Sequence, residues 1–168
     1  MLKRDKNNIT LKINLNKRKF PEDVKNVVGN FSDYLNQAGV WACYGLPLYN
    51  KSQEWVCLNV GQSIDIGREM RTNRKYSRGE FNNKKGEYKN YRGEVIFTFN
   101  RPKNKPITSR QRVWYHIGNN YKSLYFVIIK TSDKEDERLK TEMDYAIKHE
   151  AIYWNKSPEQ NKIEQNKI

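Results

Sequence analysis

The run Leu58-Asn59-Val60-Gly61-Gln62-Ser63-Ile64-Asp65-Ile66 constrains this chain more than any other stretch. Its apolar residues are interrupted by one polar residue and stopped by a glycine. Ser63 and Asp65 follow, two residues whose side chains cap helices well. That order predicts a strand that turns directly into a helix running to about Arg71. Upstream, Gly39-Val40-Trp41-Ala42-Cys43-Tyr44 is a second β-rich run, and Asn50-Lys51-Ser52-Gln53 between the two reads as a turn. A hairpin with strands at roughly 39–48 and 54–60 follows from this punctuation.

On either side the pattern changes more than once. Ile9, Leu11, Ile13 and Leu15 alternate with polar residues and predict a strand over 8–16. Pro21 with Glu22 and Asp23 reads as a helix start, and Val24, Val27, Val28, Phe31 and Leu35 have helical spacing. Residues 72–92 are poor in apolar side chains and read as a long loop. Further strands are expected at Glu94–Phe99, Val113–Ile117 and Ser123–Ile129, the first two forming a hairpin around a basic turn. Leu139, Met143, Ile147 and Ala151 recur every four residues and predict a helix limited by Pro158. The repeated Glu-Gln-Asn-Lys-Ile at the end is expected to fray. The expected fold is α+β: a small antiparallel β-sheet core flanked by helices, with a basic β-rich insertion. Residues 1–38 would form a basic arm and helix, and 39–168 a core carrying the insertion 72–122.

Charge narrows the function. The chain of 168 residues carries a formal net charge of +13. Residues 71–112 hold thirteen Lys/Arg against Glu80, Glu87 and Glu94, and residues 1–25 hold eight basic against three acidic. A concentrated basic block favours a polyanionic partner, because each neutralised phosphate releases condensed counterions. Tyr76, Phe81, Tyr88 and Tyr91 are interleaved with the cations, which suits backbone contacts with base stacking. Candidate nucleic-acid contacts are Arg74, Lys75, Arg78, Lys84, Lys85, Arg92, Arg101, Lys103, Arg110 and Arg112. Cys43 and Cys57 sit in apolar runs and read as buried thiols. With His116 and His149 far apart in sequence, a structural zinc centre is not expected. No signal peptide or membrane-length apolar run appears, so the expectation is a cytoplasmic protein with no membrane partner.

Gly39-Val40-Trp41, Asn59-Val60-Gly61 with Gln62-Ser63, the basic helix after them, and Glu150 followed by Pro158 and Asn161 together resemble the GIY-YIG nuclease family. The resemblance covers roughly 39–71 and 123–161. It departs at two positions, where Trp41 and Asn59 stand in place of tyrosines. A turn centred between Lys51 and Ser52 would put Tyr44 opposite Asn59, which makes Tyr44 the preferred tyrosine and Tyr49 the second.

The resemblance implies a metal-dependent endonuclease hydrolysing phosphodiester bonds of double-stranded DNA, of the restriction-enzyme kind, working as a homodimer. It implies one divalent cation, Mg2+, held by Glu150. Tyr44 or Tyr49 would activate water, Arg68 or Arg71 would contact the scissile phosphate, and Asn59 would keep a polar contact to substrate. The bland reading leaves Glu150 and the arginines as solvated helix surface. Two alternatives therefore stand beside it: a catalytically inactive nucleic-acid-binding module, and a basic RNA-associated protein.

Overall fold

The computed structural model describes residues 26–49, 54–78, 86–99 and 108–165. Three antiparallel strands form the centre: β1 (Gly39–Pro47), β2 (Val56–Ser63) and β5 (Tyr121–Thr131), in the order β2-β1-β5. β1 is the middle strand, and Val40 through Leu46 are buried on both faces apart from the glycine's missing side chain. That is why its sequence reads as a continuous apolar run rather than an alternation. The α+β class with a small antiparallel sheet and flanking helices is as expected from the sequence.

One face of the sheet carries Trp41, Cys43 and Phe126 and is covered by α1 (Ile66–Tyr76) and α2 (Ser109–Asn120), through Ile66, Met70, Val113, Trp114 and Ile117. The other face carries Val40, Ala42, Tyr44 and Val127 and is covered by α3 (Glu135–Lys148), through Met143 and Ala146. A two-stranded sheet, β3 (Gly86–Lys89) with β4 (Val95–Phe99), packs on the first cluster through Tyr88 and Phe97. α4 (Pro158–Gln165) follows α3 after residues 149–157, a segment of turns and irregular backbone.

The local signals that worked were caps. Asp65 accepts from Arg68 N at 3.0 Å, and Ser63 Oγ accepts from Asp65 N at 3.1 Å. Glu135, Asp136 and Glu137 place negative charge in the first turn of α3, where the helix dipole favours it.

Several expectations are corrected. Val113–Ile117 is helix, not strand. Thr108 and Gln111 form a reciprocal capping box that starts α2. The hairpin of this region is therefore 86–99, and α2 belongs to the main core rather than to a separate insertion. α1 runs through 72–76, and β3 occupies 86–89, where a loop was expected. Of the helix expected to continue past Val27, only a 3-10 turn at Phe31–Tyr34 forms. Val27 instead bridges Val127, and Val28 N donates to Phe126 O at 2.8 Å, so this segment lies along the free edge of β5. Sheet edges are strong templates, and two β-branched valines suit one better than they suit a helix. Pro158 starts α4 instead of ending the preceding helix, and the supposedly fraying tail is helical through Gln165. The strand expected at 8–16, the helix start at Pro21 and the turn at 50–53 lie outside the described residues.

A candidate active-site cleft at the edge of β2

β2 is an edge strand, and only part of its outer edge is covered. Ile152 N donates to Cys57 O at 3.2 Å and Tyr153 N to Leu58 O at 2.8 Å, so the chain after α3 closes the first half. The second half, Asn59 to Gln62, opens into a cleft of about 290 Å3 between α1 and α2 on one side and α3 on the other. Trp41, Glu69, Asn73, Arg110, Glu135 and Glu142 are among its walls.

The floor depends on Gly61. It pairs with Trp41 across the hairpin, and any Cβ there would overlap the Trp41 indole. The absent side chain lets the indole lie across β2, where its Nε1 donates to Glu69 Oε2 at 3.0 Å. Glu69 and Asn73 are one turn apart on α1 and so share a face. Arg110, from α2, joins them: its Nε donates to Asn73 Oδ1 at 2.7 Å, and its Nη2 lies 3.6 Å from Glu69 Oε1. α2 can come this close to α1 because Gly118 has no Cβ to meet the Ser77 backbone.

The opposite wall is the face of α3 bearing Glu135, Leu139 and Glu142. Glu142 Oε1 accepts from Trp154 Nε1 at 2.9 Å, and Oε2 accepts from Gln160 Nε2 at 3.1 Å. Gln160 is fully buried and fully engaged, since it also reaches Leu139 O at 3.2 Å and accepts from Ser157 N at 2.7 Å. α4 thereby fixes the rotamer of a glutamate on α3.

Both carboxylates hold their protons more tightly than usual. Burial pushes Glu142 up to about 7, against the opposing hydrogen bond from Trp154, with the charge of Glu69 adding to the rise and the Gln160 bond opposing it. Burial also raises Glu69, despite the Trp41 hydrogen bond and the Arg110 charge. Desolvation of the charged form outweighs the pair with Arg110, which is long at 3.6 Å.

The residues singled out from sequence are distributed unevenly. Asn59 and Arg110 line the cleft, and Asn59 Oδ1 also accepts from Val60 N at 3.0 Å. Tyr44 does not lie there. Pairing slips between Cys43 and Tyr44, so Asn59 faces Cys43 and Tyr44 faces Cys57. Next to Asn59, Leu58 is the extra residue of a β-bulge. Cys43 opposite Asn59 is one residue off the register counted from the sequence, and because side chains alternate along β1, Tyr44 lies on the opposite face of the sheet. Its hydroxyl sits 2.7 Å from the Tyr145 hydroxyl and 3.3 Å from His149 Nδ1, under α3. Tyr49 is 88% exposed beyond the end of β1.

Arg68 pairs with Asp65 at 3.4 Å, and Arg71 donates to Ser32 Oγ at 3.0 Å. With exposed Lys75 they share one stripe of α1, continued by Arg78 in the turn after it, whereas Glu69 and Asn73 lie roughly a third of a turn round the helix. Glu150 is not on a helix. It is exposed, with φ of 51°, in the turn that ends α3. Glu150 N donates to Ile147 O at 3.2 Å and Ala151 N to Ala146 O at 2.9 Å, the two bonds of a Schellman cap.

Arg74 Nη1 donates to Ser77 Oγ at 2.9 Å, Arg92 pairs with Glu94 at 3.4 Å, and Arg112 is half-buried on α2. Lys84, Lys85, Arg101 and Lys103 lie outside the described residues.

Comparison of the chain with models of known families, with curated proteins and with solved structures found no match in any of the three. What the cleft can do thus rests on its own chemistry. It offers two half-buried carboxylates as acceptors, Glu69 and Glu142, with Glu135 and Glu159 also on its lining, and one arginine as a cation, in a space of about 290 Å3.

Glu69, Glu142 and Asn73 were missed by sequence reasoning. The available signal was weak: each stands next to a residue that drew more notice, Arg68, Met143 and Arg74. Among the described residues, no three Asp, Glu, His or Cys side chains gather as a metal-ligand group, and no helix is long and apolar enough to cross a membrane.

Proposed function

We propose that this chain is an Mg2+-dependent endonuclease acting on double-stranded DNA, with its chemistry in the cleft at the edge of β2. One observation carries the reading. Beside the strand glycine, elements distant in sequence bring two half-buried carboxylates and an arginine to one cleft, on a chain with a net charge of +13.

Glu142, rather than Glu150, is the residue that would hold the cation. The fit is acceptable: Mg2+ keeps several waters and is commonly held by one or two carboxylates together with substrate phosphate. When bound, the cation would stabilise negative charge on the leaving 3′ oxygen. Arg110 is placed to hold a phosphate oxygen, at the cost of loosening its long pair with Glu69. Glu69, thereby freed and with a raised proton affinity, would take the proton from the attacking water. The basic stripe on α1 and the basic residues of 71–112 would supply the sequence-independent grip. Two copies, each cutting one strand, would suit a palindromic site.

Incubation with supercoiled plasmid and Mg2+ tests this. Nicked and linear products are expected from the wild type. None are expected in EDTA or from Glu142→Gln, which should still retard DNA in a gel. Intact plasmid with Mg2+ and with Mn2+ would overturn the reading.

A second reading, a nucleic-acid-binding module without catalysis, is favoured by one specific feature. Trp41 and Asn59 leave the cleft without a tyrosine, and Arg68 and Arg71 face away from it. Tight, salt-sensitive DNA binding with no cleavage under any divalent metal would select it.

A further inference from the structure

Arg138, in the first half of α3, is 4% exposed and has no carboxylate partner among the described residues. Its Nε donates to Gln62 Oε1 at 3.0 Å, and its Nη1 donates to Ser132 O at 3.0 Å. A guanidinium without a counter-charge is costly to bury, so these two neutral acceptors stand in for one. Gln62 is the residue directly after the strand glycine, and it lines the cleft.

The pairing settles which way the amide is turned. A guanidinium has five donors and no acceptor, so Gln62 must give Arg138 its oxygen. The amide nitrogen then faces away from Arg138. That nitrogen has no partner among the described residues, and the open space beside it is the cleft. A half-buried amide donor with its oxygen pinned cannot flip to hide its N–H groups.

We infer that Gln62 is a substrate-contacting residue that donates from Nε2 to a phosphate oxygen in the cleft, and that Arg138 is the positioning residue that holds it in that orientation. This rests on the nucleic-acid reading of the cleft. A phosphate oxygen is the acceptor that matches an amide N–H beside Arg110, while Glu69 and Glu142 on the same walls would repel phosphate unless something donates to it. Gln62 supplies such a donor from the strand, opposite the one on α2.

Three variants test it. Gln62→Met removes the donor with little change in length. Gln62→Glu also removes it, but gives Arg138 a carboxylate. Arg138→Lys keeps the charge and loses the Nε that pins the amide. For each, the thermal midpoint is measured, with cleavage kcat/KM in Mg2+ and the Kd for a short fluorescein-labelled duplex in Ca2+.

Both Gln62 variants are expected to lose about 10- to 100-fold, as for a hydrogen bond to a charged group. The thermal midpoint should fall in Gln62→Met and hold or rise in Gln62→Glu, so the functional loss would not track stability. Arg138→Lys should lose less, and should add nothing further to function in the Gln62→Met background. A purely structural Arg138 would instead give additive losses.

Gln62→Met with kcat/KM and Kd within twofold of wild type overturns the inference. If the wild type binds duplex but never cleaves, the endonuclease reading fails by itself and the Kd series decides Gln62. If the wild type binds no DNA, both fall.

Discussion

The tightest physical claim concerns Glu142, and it can be tested without any substrate. The carboxyl has an ordinary value of 4.5 and is pushed up to about 7 in the folded chain. A group whose folded pKa is raised contributes stability that is fully present below its unfolded value and is lost as pH rises through the folded one. Here that window runs from about 4.5 to about 7. Each unit corresponds to about 1.4 kcal/mol. Between pH 5 and pH 8 the wild type should therefore lose about 2 kcal/mol through this group, after allowing for solvent screening at a half-buried site.

Glu142→Gln cannot titrate. It keeps the acceptor for Trp154 and leaves Gln160 with its second acceptor, Leu139 O. The replacement shifts the whole stability curve by a constant of about 1 kcal/mol. It should not change how stability varies with pH. Glu69 titrates in both proteins and drops out of the difference to first order.

The assay is urea unfolding in EDTA at several pH values from 5 to 8. The difference between wild type and variant should move by about 2 kcal/mol in favour of the variant as pH rises. A difference flat to within about 0.5 kcal/mol would refute the claim that burial beside Glu69 raises this carboxyl.

Four other outcomes follow from the same structure. Glu150→Gly should raise stability by about 0.5–1 kcal/mol, since glycine is at ease in the left-handed position of the Schellman cap, and should leave plasmid cleavage unchanged. Tyr44→Phe should cost about 1 kcal/mol in urea unfolding through the lost Tyr145 and His149 contacts, with cleavage within twofold, because its hydroxyl lies on the far side of the sheet. Gly61→Ala should destabilise by about 1–3 kcal/mol, read from the urea midpoint, because the new methyl meets the rigid Trp41 indole. Charge reversal at Arg71, Lys75 and Arg78 should weaken duplex binding equally for all sequences and flatten log K against log salt by roughly 0.9 per lost phosphate contact; unchanged slopes would remove the α1 stripe from the DNA-binding surface.

The strand–glycine–helix order around Gly61, the cap at Asp65 and the first half of the apolar face of α3, Leu139 and Met143, were legible because they are local. Each depends on residues within a turn or two of one another. The α+β class followed from them. Ile147, by contrast, is exposed, and Ala151 lies beyond the helix, which ends at Lys148. The α2 helix was misread because Val113–Ile117 is short and apolar. In that case periodicity cannot separate a strand from a buried helix, and the deciding signal was the Thr108/Gln111 capping box five residues earlier.

The composition of the cleft was another matter. The pairing of Cys43 with Asn59 is displaced by one residue from the register that counting across the hairpin predicts. A side-chain period of two makes every such slip exchange the two faces of the sheet, so the tyrosine chosen by counting went to the wrong side of the strand.

By itself, then, the sequence determined the elements whose signals are local, the net charge and the glycine on which the cleft floor rests. The tertiary structure alone decided which carboxylates matter. Glu69 and Glu142 are ordinary helix residues until Trp41, Trp154 and Gln160 close around them. Burial and hydrogen bonding from elements 12 to 28 residues away are what raise their proton affinity. Long-range desolvation leaves no trace in spacing or composition, because it depends on what the folded chain brings alongside rather than on what precedes or follows in the sequence.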